Sequence, residues 1–160
     1  VLWDIGAGVG SVGLEALRLR PKLKLLAIEK RIGANALIRA NAKRLCVYPS
    51  AIIEAEAFEA IKNINFPKDL INPDRVIIGG GGSSREKLLE IIIKRLNPNG
   101  IIVIPLVTLE ATSQLIEILK TSNCKLSISQ HQPWRGVPLS QGTRLMPMNP
   151  VFILKGKYIS

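Results

Sequence analysis

Apolar runs and helical patterns alternate along most of this chain. Residues 1–5 read Val-Leu-Trp-Asp-Ile, and comparable short runs recur at residues 23–29, 51–54, 75–78 and 101–106. Each is rich in Ile, Leu or Val, too short for a stable helix and closed by turn residues, so each predicts a buried strand. Between them, residues 11–19, 33–45 and 57–63 space their apolar positions as helices do. Pro21 ends the first of these. A further helix is predicted from a cap at Ser83 or Ser84 to Leu96, and another from a cap at Thr108 to Lys120. Residues 65–72, which carry Pro67 and stop just before Pro73, predict a linker, and Asn97-Pro98-Asn99-Gly100 a turn.

From Lys125 the period changes. Leu126, Ile128 and Gln130 alternate with polar residues, and residues 150–157 form a last apolar run. The segment between is rich in Pro, Gly and Arg and is expected to turn a terminal antiparallel hairpin. Strand and helix in alternation predict an α/β fold: a mostly parallel, twisted sheet covered on both faces. Residues 1–160 are expected to form a single domain, since no boundary, repeat or low-complexity tract interrupts them. The text opens on Val1 inside a strand rather than on Met, which reads as a fragment, or one domain, of a longer product.

Composition removes several function classes. Two cysteines, Cys46 and Cys124, are too few for a disulfide framework and lack metal-ligand spacing. They read as buried structural residues in a reducing, cytoplasmic protein. The single histidine, His131, argues against a zinc site or a Ser-His-Asp triad, so no metal is expected. No run is long and apolar enough to span a membrane, and nothing resembles a signal peptide. The formal charge of +10 fits a solvated basic surface, an anionic substrate or nucleic acid.

Candidate chemistry begins at Asp4-Ile5-Gly6-Ala7-Gly8-Val9-Gly10, placed between the first strand and the first helix. Gly6 can take a turn conformation closed to other residues, Gly8 lets a ligand approach the backbone, and Gly10 lets the helix start close to the sheet. Glu29 lies 19 residues beyond Gly10 at the end of the second strand, where a carboxylate can accept from both hydroxyls of an adenosine ribose. The spacing is GxGxG rather than that of a dinucleotide turn, and acidic Asp4 precedes it. A carboxylate there repels a pyrophosphate and favours the cationic sulfonium or amino group of S-adenosyl-L-methionine. The residues thus point to a Rossmann-like class I methyltransferase fold.

Ligands of such sheets bind outside the carboxyl ends of the strands. Glu56-Ala57-Phe58 follows the third strand, where an adenine could rest, although Phe58 also suits core packing. Gly79, Gly80, Gly81 and Gly82 follow the fourth strand. Four ordered glycines are entropically costly, which favours close approach of a ligand over a plain loop. No Asn/Asp-Pro-Pro-aromatic motif and no cysteine stands there, which argues against methylation of base amino groups and cysteine-assisted nucleic-acid methylation.

At this point the sequence resembles the decarboxylating precorrin-6 methyltransferases of cobalamin biosynthesis, along essentially its whole length. The resemblance rests on residues 4–10, on Ala55-Glu56-Ala57-Phe58-Glu59-Ala60 and on Asp74-Arg75-Val76-Ile77-Ile78-Gly79-Gly80. It continues through residues 97–100, Val107-Thr108-Leu109-Glu110, Arg135-Gly136, Gly142-Thr143 and Asn149-Pro150-Val151. It implies methylation of carbon-15 of cobalt-precorrin-6B, or its cobalt-free counterpart, with loss of carbon dioxide from the ring C acetate. It also implies a homo-oligomer (a tetramer), and fusion to or association with a carbon-5 methyltransferase. Phe58 departs from the proline often found in the family, and the segment that precedes the first strand in relatives is missing.

The expected cofactor site is therefore Asp4, Gly6, Ala7, Gly8, Val9, Gly10, Glu29, Glu56, Ala57, Gly79 and Gly80. Gly81, Glu110, Arg135 and Arg144 are expected to meet the anionic tetrapyrrole, the two arginines by pairing with its carboxylates. Arg135 and Arg144 equally suit an ordinary surface, and Glu110 a helix N-terminus. No residue is identified as the proton donor. The main alternative is a tRNA or rRNA methyltransferase, for which the charge is natural but the aromatic content of 4% is low.

Overall fold

The computed structural model describes residues 1–63, 66–80 and 82–159, the side chain of Ser83 excepted. Five parallel strands form the first part of the sheet: β1 (Leu2–Ile5), β2 (Leu25–Glu29), β3 (Ala51–Glu54), β4 (Arg75–Ile78) and β5 (Ile101–Leu106). The helices between and after them are α1 (Ser11–Leu19), α2 (Ala34–Arg44), α3 (Ala57–Asn63), α4 (Arg85–Ile93) and α5 (Leu109–Thr121). Then come β6 (Cys124–His131), β7 (Trp134–Leu139), β8 (Gly142–Pro147) and β9 (Val151–Tyr158). The sheet order is β3-β2-β1-β4-β5-β9-β6, with β9 antiparallel to both of its neighbours. The order reverses at β1 and β4, the position at which open α/β sheets bind their ligands.

Side chains alternate across each strand, so β1 feeds two cores. Trp3 and Ile5 join Ile61, Leu88, Leu89, Ile92 and Leu115 under α3, α4 and α5. Leu2 packs with Leu14, Leu17, Ile38 and Ala42 under α1 and α2. The same alternation drives Asp4 under α1, where it is 3% exposed.

The expected terminal antiparallel hairpin forms from β6 and β9, while three local expectations need correction. Part of the predicted linker folds as a short 3₁₀ turn, Lys68–Leu70, because Leu70 is fully buried and its carbonyl accepts from the Trp3 indole at 2.7 Å. Ser84 stands at the start of α4 without a side-chain capping bond, whereas Thr108 caps α5 through the Ala111 amide. Cys124 is buried as expected, and burial pushes its thiol up; Cys46 is exposed, at a left-handed turn after α2. The connection between β6 and β9 is not a bare turn. It folds as a separate antiparallel ribbon of β7 and β8, in which only Val137 is even half-buried.

Candidate functional site

Every parallel strand from β1 to β4 delivers its carboxyl end to one cleft of about 260 Å³. Ile5 and Gly6 line it from β1, Ile28, Glu29 and Lys30 from β2, and Ala55, Glu56 and Ala57 from beyond β3. Gly79, Gly80, Gly82 and Ser84 close the side beyond β4. Sequence-selected Gly6, Glu29, Glu56, Ala57, Gly79 and Gly80 are thereby brought together.

The glycine turn is held to the sheet by backbone bonds. The amides of Gly6 and Ala7 both donate to the Ile28 carbonyl, at 2.9 and 3.1 Å. Gly6 has φ +72°, and a Cβ there would stand 2.7 Å from the Gly80 nitrogen. Two of the glycines beyond β4 thus have a structural reason besides ligand approach: the Gly6 and Gly79–Gly80 backbones touch.

Glu29 is 8% exposed and locked in place. One carboxylate oxygen accepts from the Gly8 amide at 2.8 Å; the other accepts from the Arg31 amide at 3.1 Å and the Arg31 Nε at 3.3 Å. Burial pushes this carboxyl up, but the Gly8 and Arg31 amides and the Arg31 guanidinium outweigh it and hold it below the usual glutamate range. It is an ionised, oriented acceptor at the cleft wall.

Asp4 lies behind the loop instead of facing the cleft. Its Oδ2 accepts from the Gly13 amide at 2.9 Å, one of the orphan donors at the start of α1. Desolvation, with a smaller push from Glu29, raises its pKa despite that bond. Asp4 thus does not stand beside a sulfonium as expected; it consumes one of the amides at the start of α1 that a pyrophosphate would use. Because its folded pKa is raised, Asp4 contributes most to stability in acid and loses that contribution as pH rises. Asp4→Asn keeps an acceptor for Gly13 without the buried charge. Its melting temperature should match or exceed wild type at neutral pH, and the difference should shrink in acidic buffer.

Gly13 escaped the sequence reading, although a glycine inside an amphipathic helix close to a buried acid was a signal. A Cβ there would lie 2.7 Å from Asp4 Oδ2 and 3.0 Å from a Leu25 methyl. Glycine to alanine inside a helix ordinarily stabilises by about 0.5–1 kcal/mol. Here the sign should reverse, with a loss of about 1–3 kcal/mol from overpacking, read by denaturant unfolding.

Of the other selected residues, Ala7, Val9, Gly10, Glu110, Arg135 and Arg144 do not line the cleft. Ala7 and Gly10 pack inward, Val9 is exposed, and its carbonyl accepts from the Asn41 side chain. Phe58 packs against the core, so Ala55 and Ala57 form the small-residue wall. Glu56 caps its own helix through the Glu59 amide at 3.0 Å. Glu110 is exposed in the first turn of α5. Arg135 and Arg144 occupy one face of the β7–β8 ribbon, paired across from Met146 and Val137 and outside the cleft. Gly81 lies outside the described residues. Lys30 and Arg31 were missed as site residues although they directly follow Glu29, and Arg85 was missed because no local spacing ties it to the glycine segment.

The chain matches the family described as precorrin methyltransferase domain over residues 1–156. It belongs to that family. A relative from Sulfurisphaera tokodaii, named a probable cobalt-precorrin-6B C(15)-methyltransferase (decarboxylating), is 34% identical over 158 residues, covering 96% of this chain and 78% of its own. A Geobacter metallireducens structure named precorrin-6y C5,15-methyltransferase superposes with a TM-score of 0.84 at 29% identity, covering 98% of this chain and 78% of that one. A Methanobacterium thermoautotrophicum structure named precorrin 8w decarboxylase gives 0.81 at 27%, covering 97% and 80%. The fold is accordingly a class I methyltransferase fold, and the family places the chain among methyltransferases.

Among the described residues no helix is long and apolar enough to cross a membrane, and no group of three or more His, Cys, Asp or Glu is placed to hold a metal ion. Among the described residues no aromatic side chain lines the cleft, and Trp134 sits on the ribbon. The stacking platform of a base-reading enzyme has no counterpart there among the described residues.

Proposed function

We propose that this chain binds S-adenosyl-L-methionine in the cleft and methylates carbon-15 of cobalt-precorrin-6B or precorrin-6B, removing the ring C acetate carboxyl as carbon dioxide. The observation that carries the cofactor half is Glu29: an ionised carboxylate, fixed by Gly8 and Arg31, at the end of the second strand of a parallel sheet. One of its four lone-pair sites stays open on the oxygen that Gly8 holds, and a ribose hydroxyl that displaces the 3.3 Å Arg31 Nε bond takes a second, so the pair suits the two ribose hydroxyls. The relatives named above support the substrate half.

In this reading Gly6, Gly8, Gly79 and Gly80 let the ligand approach the backbone, and Asp4, Ala7, Val9 and Gly10 hold the loop and start α1 against the sheet. Ala57 and the stem of Glu56 flank the adenine. When bound, the cofactor supplies an electrophilic methyl on sulfur. An electron-rich carbon of the reduced tetrapyrrole would take that methyl, the new C–C bond replacing the C–S bond and S-adenosylhomocysteine being the leaving group. In the decarboxylation a C–C bond breaks, carbon dioxide departs, and the electron pair enters the conjugated macrocycle until a proton arrives. Neither step calls for a strong protein base, so alignment of the reactants beside the glycine segment does most of the work.

A homo-oligomer is part of the same proposal. The β7–β8 ribbon exposes Trp134, Leu139, Leu145 and Met146, and an isolated two-stranded ribbon has little stability of its own. A second copy would cover it and could bring Arg135 and Arg144 to a neighbour's substrate. Association with, or fusion to, a carbon-5 methyltransferase accords with the Geobacter relative's name. A reducing, cytoplasmic setting accords with two unpaired cysteines.

The test is incubation with precorrin-6B, prepared enzymatically with and without cobalt, and methyl-labelled S-adenosylmethionine. S-adenosylhomocysteine and carbon dioxide should appear in equal amounts, with the label on the tetrapyrrole. Methyl transfer without carbon dioxide would confine the chain to methylation, and label on RNA alone would replace the substrate assignment.

A further inference from the structure

Beside the main cleft lies a second one of about 280 Å³, lined by Gly82, Arg85, Glu86, Ala111, Gln114 and Leu115. The two share Gly82, so the second opens directly beside the glycine segment beyond β4. Arg85, the first residue of α4, is half-buried between them. Its Nε donates to the Gly80 carbonyl at 3.1 Å, which fixes the plane of the guanidinium. No carboxylate pairs with Arg85 within ion-pair distance among the described residues, in contrast to Arg18 and Arg31.

A guanidinium held by one nitrogen has already lost much of its rotamer freedom, and its terminal nitrogens can still present parallel donors to a carboxylate. Gln114, across the same cleft, offers an amide donor. Glu86 is also on the wall, so the cleft is not a general anion trap, and a ligand there must place its charge at Arg85. The ribbon arginines cannot serve this place within one chain, since they lie outside both clefts.

Resting on the proposed function, we infer that the second cleft is a substrate subsite in which Arg85 receives a carboxylate arm of the anionic tetrapyrrole and so sets which carbon faces the methyl donor. Arg85 is a positioning and specificity residue here. Its bond to Gly80 also ties the subsite to the cofactor side of the glycine segment.

The experiment uses the full-length protein saturated with S-adenosylhomocysteine, titrated with uroporphyrin, a ring that carries a carboxylate on every arm, and with coproporphyrin, which carries fewer. Arg85→Gln should bind uroporphyrin about tenfold more weakly, the size expected for losing a charge-assisted pair. Its affinity for S-adenosylhomocysteine should stay within about twofold, a change of under half a kcal/mol. Arg85→Lys, which keeps the charge but loses the Gly80 bond and the parallel donors, should recover only part of the uroporphyrin affinity. Unchanged uroporphyrin binding in Arg85→Gln overturns the subsite while leaving the methyltransferase reading intact. So does equal loss in both variants together with a lower melting temperature, which marks a structural role. Wild-type protein that binds S-adenosylhomocysteine but not uroporphyrin also overturns the subsite, and leaves the cofactor reading standing. Failure to bind S-adenosylhomocysteine at all refutes the cofactor reading separately.

Discussion

Gly6→Ala is expected to cost about 2–5 kcal/mol of folding stability and to abolish cofactor binding, the two parts being left-handed strain and overpacking. The strain arises because Gly6 sits at φ +72°, where a Cβ is disfavoured. The overpacking arises because the atoms it would meet, Gly80 N at 2.7 Å and Gly80 Cα at 2.9 Å, are backbone and cannot rotate aside. The displaced segment is the cleft wall itself, so stability and binding should fall together. Gly8→Ala supplies the contrast. Its backbone is also left-handed, at φ +63°, yet the nearest atom to a new Cβ is the mobile end of Arg31 at 3.5 Å. It should lose only the strain, about 1–2 kcal/mol. Denaturant unfolding of both variants checks the pair, and a Gly6→Ala protein as stable as Gly8→Ala would remove the backbone contact from the account.

Glu29→Ala should weaken S-adenosylhomocysteine binding by about 2–3 kcal/mol, roughly 30- to 150-fold, from lost hydrogen bonds to a charged acceptor. The ribose hydroxyls lose their acceptor, and the Gly8 and Arg31 amides that point at it lose theirs. Glu29→Gln should do little better, because an amide NH₂ would face amide donors that the carboxylate satisfied. The pH dependence follows from a pKa held below the ordinary glutamate value. The carboxylate's contribution is complete above the unfolded pKa and is lost only as pH falls through the lowered folded one. Binding should therefore stay level into mildly acidic buffer. Calorimetric titration of both variants measures this, and wild-type affinity in Glu29→Ala would leave the ribose role without support.

The alternation of strand and helix, and the strand–glycine turn–helix that holds the cleft, were legible because local period and turn chemistry determine them. Glu29 was legible for the same reason, since a fixed spacing carries it to the strand end. Asp4 was visible as an acid beside the turn, but its orientation was not. Strand alternation turns it under α1, and only Gly13, nine residues on, leaves it room. The β7–β8 ribbon was hidden because Pro, Gly and Arg mark both loops and exposed hairpins, and no buried face imposes a period on them. Arg85 was out of reach for a further reason: a half-buried guanidinium and a surface one look alike until the cleft beside them is known.

The measurement that tests the central claim most directly is calorimetric titration of the full-length protein with S-adenosylhomocysteine and, separately, with NAD. Saturable binding of the first and none of the second is expected, because Glu29 already takes the Gly8 amide and Asp4 the Gly13 amide, two backbone donors that a pyrophosphate would otherwise use. Binding of NAD without S-adenosylhomocysteine would contradict it.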